Sequence, residues 1–197
     1  MYKYLFLVFI LNIYPNLDNS NQKLEEAYFA SGCFWCVESI YENLKGVIDV
    51  ESGYSGGKTL NPTYYQVMTE KTGHAEAIKV LYDPQIIDFE TLVKVFFGSH
   101  DPSTLNRQGP DKGTQYRSIA FFKTNNEKKI IEKEVKRLLE NKTYKKITTE
   151  ILAFEKFYKA EEYHQDYKKN NPNDIYILRV SNPRISKFKM DFKDIIK

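Results

Sequence analysis

Cysteine is nearly absent from this chain: 197 residues contain two, Cys33 and Cys36. One pair cannot staple a disulfide-built secreted fold, so stability has to come from a buried core, and the length suffices for one. Histidine is almost as scarce. Zinc favours four ligands, and beyond the cysteines it could draw only on His74, His100 and His164, which disfavours a zinc site. Charge of one sign is also lacking, with 29 Lys and Arg against 26 Asp and Glu. A net charge of +3 with lysines scattered among glutamates argues against nucleic acid as a partner. No apolar run is long enough to span a bilayer as a helix. The longest, Tyr4 to Tyr14 and broken by Asn12, offers about ten apolar residues where a span needs about 20. Preceded by Lys3 and followed by Pro15 and a polar stretch, it suits the apolar region of a secretory signal. Residues 1–22 are therefore expected to be a signal peptide or apolar N-terminal tail outside the fold, and the protein to be exported to a periplasmic or other extracytoplasmic space. The single lysine and the lack of an A-x-A site speak for the alternative, a cytoplasmic protein.

Aromatics are plentiful, with 15 Tyr and 13 Phe. "EAYFASG" reads as a strand. Val37, Ile40, Tyr41 and Leu44 then recur at helical spacing before Gly46, which predicts a helix from Phe34 to Lys45. "VIDVESGYSGG" and "EAIKVLYDP" read as strands, the second stopped by Asp83-Pro84. Asp88 caps a helix on Phe89, Leu92, Val93 and Phe96. "SIAFFK" is a strand, residues 126–141 a charged helix on Ile131, Val135, Leu138 and Leu139, and "ITTEILAF" a strand. The order β-α-β-β-α-β from Glu26 to Lys123 predicts an α+β fold, a ferredoxin-like split-βαβ core with helices on one face of an antiparallel sheet. The core domain is expected over residues 23–175, with 176–197 a basic, solvated C-terminal tail.

Two segments have no period: 53–76, "GYSGGKTLNPTYYQVMTEKTGHAE", and 98–118, "GSHDPSTLNRQGPDKGTQYRS". Loops this long inside a compact domain are usually functional. The two cysteines stand three apart in "SGCFWCVES" at a strand-to-helix turn. Cys33 then falls at the helix N-terminus, where the dipole favours a thiolate, and Cys36 comes within disulfide reach one turn later. That is the geometry of a nucleophile with a resolving partner. A pair of inert buried cysteines is disfavoured. A copper(I) carrier remains the alternative, because small ferredoxin-like metal-binding domains place a C-x-x-C on this loop and two soft thiolates suffice.

"GCFWC" closely resembles the signature of the A-type peptide methionine sulfoxide reductases. "GYSGG", "NPTYYQV", "TGHAEAIKVLYDP", "HDPSTLNRQGPDKGTQYRS" and "AEEYHQDY" are similar to the same family, in its order, from about Ala27 to Pro172. The resemblance implies reduction of the S epimer of methionine sulfoxide in proteins, and of the free amino acid. It assigns Cys33 as nucleophile and Glu76 as the acid that protonates the departing oxygen, a role that needs burial to keep the carboxyl neutral. It matches Tyr64 and Tyr116 to two hydrogen-bonding tyrosines and Asp111 to a carboxylate that orders the pocket. Phe34 and Trp35 would supply a dry aromatic slot for the S-methyl group. All three histidines lie in matched motifs and are expected to be structural. One position departs from the family's commonest form: residue 36 is usually glycine, with the resolving cysteine near the C-terminus. Here Cys36 would condense with a sulfenic acid on Cys33, and thioredoxin or another external dithiol would reduce the disulfide. No metal or bound cofactor is called for, and a monomer is expected.

Overall fold

Both faces of the first strand are apolar. Along β1 (Glu25–Ser31), Ala27 and Phe29 point to one side of the sheet and Tyr28 and Ala30 to the other, and all four are buried. That double burial marks a central strand. In the computed structural model, which describes residues 23–197, β1 lies in the middle of a sheet with β2 (Val47–Ser55), β3 (Ala75–Tyr82), β6 (Ser118–Phe122), β7 (Glu150–Ala153) and β8 (Phe157–Lys159). The strand order is β7–β6–β1–β3–β2–β8. Neighbours pair antiparallel, except β6 with β7, which run parallel. The chain is thus mixed α/β. The signal or tail expected over residues 1–22 lies outside the described residues.

On the Phe29 face pack α1 (Phe34–Glu42), α3 (Phe89–Gly98) and α4 (Asn125–Glu140). Phe29 stacks between Tyr41 of α1 at 5.5 Å and Phe96 of α3 at 5.2 Å. Asp88 caps α3 as expected, accepting from the Thr91 N–H at 2.7 Å. The other face is thinner: Tyr28, Ala30, Ala75, Ala77, Ile119 and Phe121 are covered by Phe154, which stacks on Tyr28 at 3.7 Å, and by Phe157. The expected β-α-β-β-α-β series is present as β1, α1, β2, β3, α3 and β6, its strands in the order β6–β1–β3–β2.

Several boundaries differ from the periodicity. α1 ends at Glu42 rather than Lys45, because Leu44 forms a bridge with Ile196 and the Lys45 N–H donates to the Ile195 carbonyl at 2.9 Å. On α4, Leu139 is 39% exposed while Glu134 takes the inward seat, held by Arg137 at 2.6 Å. The segment 53–76 contains α2 (Tyr64–Met68), begun by a capping box between Thr63 and Gln66. The segment 98–118 contains a small hairpin of β4 (Arg107–Gln108) and β5 (Asp111–Lys112). After α5 (Tyr167–Asn170) comes the largest correction. Residues 176–197, expected as a solvated tail, are part of the fold: a π-helical stretch, Ile177–Ser181, runs into α6 (Asn182–Asp191). Ile177, Ser181, Ile185 and Phe188 are buried along one side, so that stripe is satisfied against the core while the basic face meets water. The Arg184 guanidinium ties this segment to the sheet, donating to the Ser99 carbonyl at 2.7 Å and the Ser31 carbonyl at 2.9 Å.

Candidate active site

The turn from β1 into α1 is made by Gly32, whose φ of +86° favours glycine. A Cβ there would come within 2.6 Å of the Gln108 side chain. The turn leaves Cys33 as the residue capping α1, as the sequence predicts. Cys33 opens on a cavity of about 190 Å³, lined also by Phe34, Trp35, Tyr64, Glu76, Asp111, Tyr116 and Tyr176. Both aperiodic segments deliver residues here: Tyr64 opens α2, Glu76 lies on β3, Asp111 starts β5 and Tyr116 ends a short 3-10 turn. Seven of the eight side chains singled out from sequence meet at this cavity. The eighth, Cys36, lies just behind it and is fully buried. Both sulfurs are free thiols.

Burial sets the proton distribution. Glu76 is 2% exposed, and desolvation pushes its carboxyl up to about 8, opposed by the Phe34 N–H that donates to Oε2 at 3.0 Å. A neutral, proton-carrying acid therefore stands in the cavity at neutral pH. Burial likewise raises Tyr64 to about 12 and Tyr116 well above the usual phenol range, so both remain hydroxyl donors. Burial raises the Asp111 carboxyl, against the Tyr176 hydroxyl that donates to Oδ2 at 2.5 Å.

The thiols divide differently from the expectation that the helix end lowers Cys33. Burial, reinforced by the hydrogen bond to Cys36 and by the charges of Cys36 and Glu76, pushes Cys33 up. Cys36 is brought down to about 6, chiefly by its hydrogen bond with Cys33 and further by Arg184 and Ser181. Burial thus works against the helix end at Cys33, while Arg184 and Ser181 favour ionisation at Cys36. Desolvation outweighs the helix end because Cys33 is only 6% exposed.

The aromatic slot is braced from behind. Trp35 stacks on Tyr167 at 3.7 Å and 8°, meets Tyr176 edge-on at 5.9 Å, and donates Nε1–H to His164 Nδ1 at 3.1 Å. His164 also packs on Tyr64 at 4.6 Å and Phe34 at 4.9 Å. Its Nδ1 accepts, so its proton sits on Nε2, which is buried with no partner among the described residues. His74 receives the Gly57 N–H at 3.1 Å, and His100 bonds the Phe96 carbonyl and Ser118 hydroxyl, both at 2.7 Å. Glu161 anchors Tyr64, accepting from its N–H at 2.9 Å and from the Tyr54 hydroxyl at 2.8 Å. Sequence reasoning missed Tyr176. Its surroundings, "NPNDIYILRV", follow the end of the matched motifs, and no local pattern aims it at Cys33.

A thiol facing a buried carboxylic acid and hydroxyl donors in a small aromatic cavity, with a second thiol directly behind it, is the arrangement of a thiol-dependent oxidoreductase. The family model for peptide methionine sulfoxide reductase matches residues 25–195, and the chain belongs to this family. "Peptide methionine sulfoxide reductase MsrA" of Sulfolobus acidocaldarius is 46% identical over 171 residues, which is 87% of this chain and 97% of that one. "Peptide methionine sulfoxide reductase MsrA 1" of Rhodopirellula baltica is 50% identical over 88% of this chain and 90% of its own. Among solved structures, Mxr1 from Saccharomyces cerevisiae in reduced form superposes with a TM-score of 0.73 at 36% identity, covering 77% of this chain and 88% of that one. The same yeast protein in complex with Trx2 gives 0.53 at 28% identity, covering 74% and 85%. The protein is a methionine sulfoxide reductase, an oxidoreductase. The match also runs through most of residues 176–197, in keeping with their packing.

Proposed function

We propose that the enzyme reduces the S epimer of methionine sulfoxide through Cys33, with Glu76 as general acid and Cys36 as resolving thiol. The observation that carries this reading is the buried Glu76 carboxyl lining the same cavity as Cys33. The S-methyl group sits in the slot of Phe34 and Trp35, and the sulfoxide oxygen is held by Tyr64 and Tyr116. As Cys33 attacks the sulfoxide sulfur, its proton passes to the Cys36 thiolate, and Glu76 protonates the oxygen. That oxygen ends on Cys33 as a sulfenic acid, and methionine leaves with its sulfur reduced. Cys36 then displaces the oxygen as water, forming a disulfide. Thioredoxin or another external dithiol restores both thiols. The yeast relative whose structure includes Trx2 supports such a reductant. The substrates are oxidised proteins and the free amino acid.

Turnover of a methionine sulfoxide peptide with dithiothreitol tests this on both epimers. Reduction of the S form alone is expected; no reduction of either, with tight copper(I) binding by the thiol pair, would replace the reading by the copper carrier. We further read the core as a ferredoxin-like split-βαβ unit, supported by the order β6–β1–β3–β2, and the protein as a monomer. Export remains a proposal on the sequence of residues 4–15 alone. N-terminal sequencing of the native protein should find a start near residue 23, and an intact Met1 in the cytosol would exclude it.

A further inference from the structure

Cys36 is fully buried, and the group that faces its sulfur comes from the far end of the chain. The Ser181 hydroxyl lies 2.8 Å from Cys36 Sγ, and Ser181 is itself fully buried. Ser181 closes the π-helical stretch, a wide turn of the kind that often marks functional positions, and it brings Ile177 and Ser181 inward together. One turn on, Arg184 is locked by its two bonds to the Ser99 and Ser31 carbonyls, which leaves its charge beside the turn that carries the cysteines. Its Nη1 lies 3.7 Å from the place a side chain on Gly32 would occupy. A structural role for α6 requires only its apolar stripe. A hydroxyl on the sulfur and a fixed guanidinium next to it are additional.

We propose that Ser181 and Arg184 are positioning residues that hold Cys36 as a thiolate aimed at Cys33, and so set the rate of disulfide formation. This rests on the reductase reading above. In the step they serve, the Cys36 thiolate attacks the sulfenic sulfur of Cys33. The S–S bond forms as the S–O bond breaks. The oxygen leaves with its proton as hydroxide and becomes water on protonation by Glu76, whose carboxylate has first taken from Cys36 the proton that Cys36 received from Cys33, leaving Cys36 as the attacking thiolate. The Cys33 sulfur is reduced and the Cys36 sulfur oxidised by the same amount, so no outside oxidant enters. The direction of the Cys36 titration agrees: Arg184 and Ser181 both favour the thiolate. The opposing groups are burial and the Asp111 carboxylate, while Glu76 and the Tyr176 hydroxyl also face this sulfur. Arg184 is the cation among them.

The test follows sulfenic acid on Cys33 and disulfide separately, after one equivalent of sulfoxide, across pH, in wild type and Ser181→Ala. At about pH 6, disulfide formation in the variant should slow by roughly tenfold, the loss of one hydrogen bond to a charged acceptor. At higher pH it should recover, because Cys36 ionises there without help. The ultraviolet thiolate absorbance should titrate at higher pH in the variant than in wild type. Arg184→Lys, which keeps the charge, should lose less than Arg184→Gln. An unchanged pH profile in Ser181→Ala overturns the proposal, as does a slowing equal at every pH, which would mean only a structural role. Should the variants not fold, the wild type still decides: a thiolate that titrates at or above the value of a free cysteine overturns it. Failure of the wild type to release methionine would instead sink the reductase reading and is seen in the first measurement.

Discussion

Cys33 and Cys36 are three residues apart, yet each faces a different part of the molecule. Cys33 looks into a cavity assembled from the two long segments 53–76 and 98–118, lined by phenols and a neutral acid. Cys36 lies behind it, in hydrogen-bond contact with Cys33 and against the C-terminal segment, where Ser181 meets it and water does not. In the proposed reaction the first side receives the substrate and supplies a proton. The second is sealed, with Ser181 on the sulfur and Arg184 close by. Cys33 caps α1 and Cys36 stands one turn further in, so the two sulfurs stay in reach of each other while different segments of the chain pack around each.

A second comparison sharpens the first. Glu38 and Glu76 are each 2% exposed, and burial pushes each up to about 8. Only Glu76 lines the cavity. A raised carboxyl is therefore not a signature of function by itself; what it can reach decides.

The largest effect expected is at the thiols. Cys33→Ser should abolish reduction, whereas Cys36→Ser should release one equivalent of methionine, leave a sulfenic acid on Cys33 and lose recycling by thioredoxin. Equal and complete failure of both variants would erase the distinction between the two sides. Glu76→Gln should slow the single-turnover release of methionine by roughly 10²–10⁴-fold, the usual worth of a general acid. In the wild type that step should fall as pH rises through about 8 as Glu76 ionises, and the variant should lack this limb. Rates within a few-fold of wild type would remove Glu76 from the chemistry.

On the sealed side, Phe188 is 1% exposed and stacks on Phe192 at 4.7 Å. Phe188→Ala should cost about 3–5 kcal/mol in denaturant unfolding; a value near zero would return residues 176–197 to the status of a tail. Glu38 and Glu76 hold their protons more tightly in the folded chain than unfolded. Their contribution to stability is complete below about 4.5 and is lost as pH climbs through about 8. Glu38→Gln should flatten that decline without changing the pH profile of methionine release, as urea midpoints at acid and alkaline pH would reveal. The smallest effect is at Leu139, where replacement by Lys should stay within about 0.5 kcal/mol because the residue already lies at the surface, 39% exposed.

Much of this was legible in the residues themselves. Two cysteines spaced for one helical turn, a glycine before them and apolar side chains at helical spacing after them define the β1–α1 turn, because each is a local preference. The motif resemblance placed Glu76, Tyr64, Tyr116 and Asp111 at the site. The capping box of Thr63 and Gln66 could have revealed α2, since its signal is a four-residue pattern. Tyr176, Ser181 and Arg184 could not be found this way. Their roles depend on where the C-terminal segment docks, and an amphipathic basic stretch reads the same whether its apolar stripe meets a core or another surface.

By itself, then, the sequence determined the β-α-β-β-α-β order of the core and the turn that carries the cysteine pair, and its resemblance to the family pointed to the other residues at the cavity. The first two follow from spacing and local side-chain preference. Only the tertiary structure decided what surrounds each sulfur, since burial and hydrogen bonds from distant parts of the chain set those environments. It likewise decided that the end of the chain belongs to the site, because α6 finds its partner about 150 residues back along the chain, at the turn between β1 and α1.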